Sequence, residues 1–157
     1  MNIFHLDKNP KVCAEYHCDK HVVKMILESA QMLSTAYQRH AGREEKVYKP
    51  AHAKHPMTIW VGDSIQNFGW TLLLGNWLGC EFERRYNKMH KSMKIINYFI
   101  DFNLTWKDKL PKKILLHHHY VCLMNINVMT TYKHIEIIIL IRKKVLQSIH
   151  AEKCQTL

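Results

Sequence analysis

Helix-breaking residues are scarce in this chain, which has 5 glycines and 4 prolines among its 157 residues. Between Pro10 and Gly42 there is no glycine or proline at all. Asn9 followed by Pro10 is typical of a helix start, and a glycine such as Gly42 is typical of a helix end. The sequence therefore predicts one long or slightly bent helix over about residues 10 to 40.

Long apolar runs are also absent. No segment approaches the roughly 20 consecutive apolar residues that a membrane-spanning helix needs. Residues 1–7 lack the basic start and the apolar middle of a secretory signal peptide. We therefore expect a cytoplasmic protein that does not contact a membrane.

Paired cysteines are missing as well. The 5 cysteines are an odd number without close pairs, in a chain large enough to fold without covalent cross-links. This predicts reduced thiols and no disulfide. Cys13, His17 and His21 recur at every fourth position, so a zinc site on one helix face is an alternative interpretation, although the paired spacing of structural zinc sites is absent.

Acidic residues are few relative to basic ones. The chain has 13 acidic residues against 23 lysines and arginines, which gives a formal net charge of +10. Such an excess favours a polyanionic partner such as nucleic acid, because bound cations release the counterions condensed on phosphates. The same excess can also serve only to keep a protein soluble by self-repulsion.

The remaining breakers divide the chain into further helices. Residues 42–56 contain two prolines and many charges and are predicted to be an exposed connection. Asp63 and Ser64 are candidate caps for a helix that continues to about Tyr86, and a third helical stretch is predicted over about residues 92 to 102. We predict an all-α fold, a compact single-domain helical bundle with a long N-terminal helix.

The chain changes character at about residue 111. Residues 1–110 form the predicted helical domain, whereas residues 111–157 form an atypical basic tail with no glycine and with Glu136 and Glu152 as its acidic residues. Runs of identical residues occur at His117–His119 and at Ile137–Ile139. Back-translation of this tail with degenerate codons, read one base out of frame, permits a different and less repetitive sequence, so we infer a change of reading frame near residues 111–116.

Four polar residues interrupt the most apolar part of the first helix. His17, His21, Lys24 and Glu28 are spaced by four, three and four positions and would form one line along a helix. Their neighbours are mostly apolar, so the helix is predicted to be enclosed around a polar line that must be hydrogen-bonded or used in function. The simpler interpretation is two histidines at the edge of the core and a Lys24–Glu28 ion pair.

Asp19, Lys20 and His21, with Glu28 seven positions after His21, resemble the small phage pyrimidine-dimer DNA glycosylases of the endonuclease V type. Tyr48, the His55-Pro56 pair and the segment Glu81-Phe82-Glu83-Arg84-Arg85-Tyr86 are similar in order and spacing to a related bacterial branch. The resemblance covers about residues 1 to 95, and none of these motifs is specific alone.

The resemblance implies a mostly helical, monomeric protein without metal or cofactor that acts on double-stranded DNA containing damaged pyrimidines. Its nucleophile would be the amine at the chain start, Met1 or Asn2, which displaces the damaged base, forms an imine and cuts the strand by β-elimination. Glu28 would stabilise the cationic sugar and shuttle protons, and His21 would orient Glu28 or contact a phosphate. The residues implied to hold the DNA are His17, Lys20, Lys24, His55, Arg84, Arg85, Lys88 and Lys91.

Two positions depart from the family pattern. Asn2 is bulky for removal of the initiator methionine, so the amine of Met1 would be the nucleophile if Met1 is retained. Gln31 replaces a basic residue three positions after the glutamate. Trp60, Phe68 and Trp70 are candidates to fill the gap left by an extruded base, although plain core positions are the favoured interpretation of these aromatics. The alternatives to a glycosylase are a non-catalytic nucleic-acid-binding protein and a small zinc-dependent nuclease.

Overall fold

The part of the chain described by the computed structural model, residues 1–101 and 108–112, contains five α-helices and no strand. They are α1 Pro10–Glu15, α2 Asp19–Ala41, α3 Pro56–Asp63, α4 Ile65–Tyr86 and α5 Met93–Asp101. The predicted all-α bundle is confirmed. None of these described helices combines the length and the apolar character that a bilayer crossing requires. The predictions for the atypical tail fall outside the described residues from residue 113 onward.

The single helix predicted over about residues 10 to 40 is wrong, because the chain breaks after Glu15 and resumes at Asp19. No glycine or proline causes this break. The Nδ1 atom of His17 instead hydrogen-bonds the Cys13 carbonyl at 2.6 Å, and the Arg85 guanidinium donates to the carbonyls of Glu15 and His17. These side chains satisfy backbone groups at the break, so tertiary contacts override the local helical preference.

The start of α1, the end of α2 and the start of α4 follow the predicted signals, whereas α3 was not predicted from the sequence. The Asn9 side chain accepts a hydrogen bond from the Lys11 backbone N–H, with Pro10 as the first residue of α1. Gly42 follows α2 with a φ of 86°, a left-handed conformation that glycine adopts without strain. At the start of α4, the Ser64 hydroxyl accepts a hydrogen bond from the Asn67 N–H at 3.1 Å.

The core is centred on α4, which packs against each of the other four helices. Trp70, Phe68 and Leu74 of α4 are almost completely buried, as are Ile26 and Leu33 of α2. These apolar side chains hold the long helices together by burial of apolar surface. The α2 helix is therefore fixed in position, and groups that it carries at its surface are rigidly placed.

Polar side chains in the second half of α2 bind the connection between α2 and α3. The Ser34 and Thr35 hydroxyls accept hydrogen bonds from the backbone N–H groups of Tyr48 and Ala51. The Gln38 amide donates to the Tyr48 carbonyl at 2.8 Å. The segment predicted as an exposed connection is thus fastened along α2, and buried polar groups of α2 are paired with loop backbone.

Ser64→Ala should lower the free energy of unfolding by about 1 kcal/mol, because it removes the hydroxyl that caps α4. Asp63→Ala is the matched control, since Asp63 is exposed and ends α3 rather than capping α4. Urea denaturation followed by circular dichroism measures both. Equal destabilisation by the two variants would contradict the assignment of Ser64 as the cap.

Candidate active site

Contacts with core residues hold the first nine residues against the helices. Ile3 is buried, and the Cys13 thiol donates a hydrogen bond to the Phe4 carbonyl at 3.2 Å. The indole N–H of Trp70 donates to the Lys8 carbonyl at 3.0 Å. These contacts lie on both sides of residues 5–7 and fix the path of the segment. The nitrogen of residue 2 therefore has a defined position relative to α2.

That nitrogen meets Glu28. The backbone N–H of Asn2 donates to Oε2 of Glu28 at 2.6 Å, across 26 positions of sequence. The Glu28 side chain is 11% exposed, and its Oε1 lies 3.6 Å from the ammonium of Lys24. Asn2 and Glu28, both predicted for the catalytic site, are thus in direct contact, and Lys24, predicted as a DNA contact, lies one helical turn from Glu28.

His21 contributes to this arrangement through its ring. It stacks on Phe4, with ring centroids 4.6 Å apart and an interplanar angle of 20°. The stack fastens the N-terminal segment to α2 about two turns before Glu28. This contact positions the segment that carries residue 2, and the expected roles of His21, to orient Glu28 or to contact a phosphate, stay predictions.

His17, predicted as a DNA contact, is 2% exposed in the structure. Burial lowers its pKa, and because a carbonyl can only accept, the Nδ1 bonded to Cys13 carries the proton of the neutral ring. Its Nε2 is buried and has no partner among the described residues. The geometry favours a structural role for His17 at the break between α1 and α2.

His5 was not identified from the sequence, because no motif or spacing marks it. Its ring lies between two tryptophans, with centroids 4.3 Å from Trp70 and 5.2 Å from Trp60. Burial lowers the pKa of His5 to about 4.

The three aromatic residues that were candidates to fill the gap left by a base differ in exposure. Trp70 and Phe68 are core residues at 1% and 0% exposure, and Trp60, which is partly buried, is the one of the three that reaches the surface.

Arg85 joins the end of α4 to the break between α1 and α2. Its guanidinium forms ion pairs with Glu81 at 3.0 Å and with Asp19 at 2.9 Å, and it donates to the carbonyls of Glu15 and His17. The Arg85 side chain is 16% exposed. Its donors are occupied within the protein, so the geometry favours a structural role over the predicted phosphate contact.

The other predicted DNA contacts lie at the surface. Lys20 and Lys24 are exposed on the first half of α2, and Arg84 and Lys88 are exposed at the end of α4. The two ends are adjacent, because Arg85 of α4 is paired with Asp19 of α2. Lys91 is also exposed. These residues form the basic surface, which begins at the end of α4 and extends along α2 to Glu28. The exposed carboxylates of Asp19 and Glu83 lie among its cations, and Arg84 is paired with Glu81 at 2.7 Å.

His55 belongs to a different part of the molecule. Its Nδ1 accepts a hydrogen bond from the Met57 N–H and caps α3. The preceding residues 51–53 are bound by Thr35 and Arg39 in the second half of α2. Thr35 lies seven residues beyond Glu28, about 10 Å along the helix. His55 and the basic surface therefore lie on opposite sides of Glu28 along α2.

The alternative zinc site is not assembled. Within residues 1–101 and 108–112, no three histidine, cysteine or acidic side chains are grouped so that they could hold a metal ion. Cys13 is a free thiol bonded to the Phe4 carbonyl, and His17 uses its Nδ1 on the Cys13 carbonyl. Nothing in the described geometry supports a nuclease that uses these residues to bind zinc.

The buried ring of His5 should make stability depend on pH. Its pKa of about 4 lies below the ordinary value of 6.5, so the unfolded chain takes up a proton first as the pH falls. Above pH 6.5 the neutral ring makes its full contribution to the free energy of unfolding. Between pH 6.5 and 4 this contribution is lost, and it amounts to about 2 kcal/mol with solvent access to the ring taken into account. His5→Phe should remove this part of the loss, measured by urea unfolding at pH 7 and 4.5. An unchanged pH dependence in the variant would refute the role given to His5.

Arg85→Met should lower the free energy of unfolding by about 2 to 3 kcal/mol, because it leaves the carbonyls of Glu15 and His17 without this donor and removes one of the two arginines that bind the Glu81 carboxylate. Arg84 is the matched control: it also binds Glu81, but its side chain is 67% exposed. Arg84→Met should therefore leave the urea midpoint nearly unchanged. If both variants shift the midpoint equally, Arg85 has no special structural role.

Comparison with protein-family models, with curated proteins and with solved structures finds no match for this chain. The contact between residue 2 and Glu28, with the cations beside it, is therefore the physical basis on which a function can be argued.

Proposed function

We propose that this protein is a DNA glycosylase with an associated lyase activity that acts on damaged pyrimidines in double-stranded DNA. The observation that carries the proposal is the 2.6 Å hydrogen bond between the nitrogen of residue 2 and the Glu28 carboxylate. A nitrogen held against a carboxylate beside a basic surface has the parts that imine-forming catalysis needs: a potential nucleophile, a proton acceptor and cations for phosphates.

The nucleophile in this proposal is the α-amine of a chain that begins at Asn2, and not the amine of a retained Met1 that the size of Asn2 suggested, because the nitrogen at Glu28 is that of residue 2. In the structure this nitrogen belongs to the Met1–Asn2 peptide bond, and an amide nitrogen is not nucleophilic because its lone pair is delocalised. Removal of Met1 turns it into an amine without moving it from Glu28. The amine of Met1 itself lies one residue before this nitrogen, and the Cα atoms of Met1 and Asn2 are about 3.8 Å apart.

The reaction then follows from ordinary amine chemistry. The nitrogen lone pair attacks C1′ of the damaged nucleotide, and the bond between C1′ and the base breaks, with the base leaving. Loss of a proton from the nitrogen and opening of the C1′–O4′ bond give an imine. Removal of a proton from C2′ then expels the 3′ phosphate, which cuts the strand. The Glu28 carboxylate accepts the nitrogen proton and stabilises the positive charge that develops on the sugar.

The basic surface supplies the contacts with the DNA backbone. Lys20 and Lys24 on α2 and Arg84 and Lys88 at the end of α4 hold phosphates on the strand that carries the lesion. Extrusion of a damaged base costs a few kcal/mol, less than for an intact pair, which provides part of the selectivity. The protein acts in this proposal as a monomer in the cytoplasm, on phage or host DNA, and needs no cofactor.

Borohydride trapping on a duplex that contains an abasic site tests the mechanism. Two forms of the protein, released from cleavable fusions, would begin at Met1 and at Asn2. The form that begins at Asn2 should be trapped covalently, and the form that begins at Met1 should be trapped at least about tenfold more slowly, since its amine is displaced from Glu28. Glu28→Gln should abolish trapping, whereas Glu45→Gln, which alters an exposed carboxylate in the connection, should not.

Trapping that persists in Glu28→Gln, or in both forms after acetylation of the chain start, would refute the mechanism. DNA binding without any trapping would instead indicate a non-catalytic nucleic-acid-binding protein. Mass spectrometry of the protein isolated from its native host would show which residue forms the chain start.

A further inference from the structure

Two apolar side chains are exposed on α2 close to the candidate site. Val23 and Leu27 are 40% and 39% exposed, although their apolar character predicts burial. The prediction that α2 is enclosed on all sides but one is therefore wrong for its first half. Being four positions apart, the two side chains lie next to each other on the helix surface.

Cations surround this pair. Lys20 and Lys24 are exposed on the same half of α2, and Lys24 lies one turn from both Lys20 and Leu27. Leu27 directly precedes Glu28, whose carboxylate contacts the nitrogen of residue 2. Any nucleotide that reaches Glu28 over Lys24 must therefore pass beside Leu27.

The surface is complementary to a ligand that is apolar at its centre and anionic at its edges. Stacked bases flanked by phosphates meet this description. Stable protein partners bury about 800 Å² on each side, which two aliphatic side chains among lysines do not provide. Charge and size thus both favour DNA as the occupant.

We propose that Leu27, supported by Val23, contacts the base step next to the lesion and keeps it unstacked while the damaged nucleotide is at Glu28. This inference rests on the proposed glycosylase function and adds a residue that promotes base extrusion. Apolar side chains that enter a base step replace part of the stacking that is lost when the step opens. At an abasic site no base has to be extruded, so the same side chain is needed much less.

The test measures the activity of Leu27→Ala and of the conservative variant Leu27→Met on two DNA substrates. Both variants are made in the form that begins at Asn2. Cleavage of the bond between C1′ and the base in a duplex that contains a cyclobutane pyrimidine dimer should fall at least about tenfold in Leu27→Ala. Strand cutting at a preformed abasic site should change less than about twofold, because imine formation at Glu28 is intact. Leu27→Met should retain most of the activity that cleaves the bond between C1′ and the base in the dimer.

The two substrates separate the possible failures. An equal loss on both substrates would show a general defect in folding or binding and would overturn the inference, as would full activity of Leu27→Ala on the dimer. Absence of both activities in the unsubstituted protein would refute the proposed function itself. Fluorescence of 2-aminopurine placed opposite the lesion gives a direct measure, and it should rise less with Leu27→Ala than with the unsubstituted protein.

Discussion

The pairing of Arg85 with the break between α1 and α2 is the interaction on which the rest of the arrangement depends. Because the guanidinium donates to the carbonyls of Glu15 and His17, the chain can leave the helical path there without losing hydrogen bonds. With α1 separate from α2, the N-terminal segment runs back beside α2 instead of extending its axis. In this arrangement the nitrogen of residue 2 reaches Glu28.

The sequence signals succeeded where a single local interaction decides the structure. Asn9 with Pro10, Gly42 and Ser64 each set a helix boundary through their own side chain or backbone, and each boundary was predicted. Glu28 was named as a candidate in advance, through the resemblance that its spacing from His21 supports, and its catalytic role stays a prediction. The structure adds that it is nearly buried and bonded to residue 2.

The signals failed where distant residues decide. The break near His17 depends on Arg85, which lies 68 positions further along the chain. The burial of His5 depends on Trp60 and Trp70, and the exposure of Val23 and Leu27 depends on the absence of a covering element among the described residues. Periodicity in one segment contains no information about such partners, because it reports only which residues share a face.

The candidate carboxylate binds a main-chain nitrogen, and this has a consequence for how the site can vary. Every residue except proline presents the same N–H group, so the contact is set by the distance along the chain from Ile3, the first buried anchor, and not by the side chain at position 2. Whichever residue directly precedes Ile3 places its nitrogen at Glu28. What comes before that residue decides only whether the nitrogen is a peptide amide or an amine, and therefore whether it can act as a nucleophile.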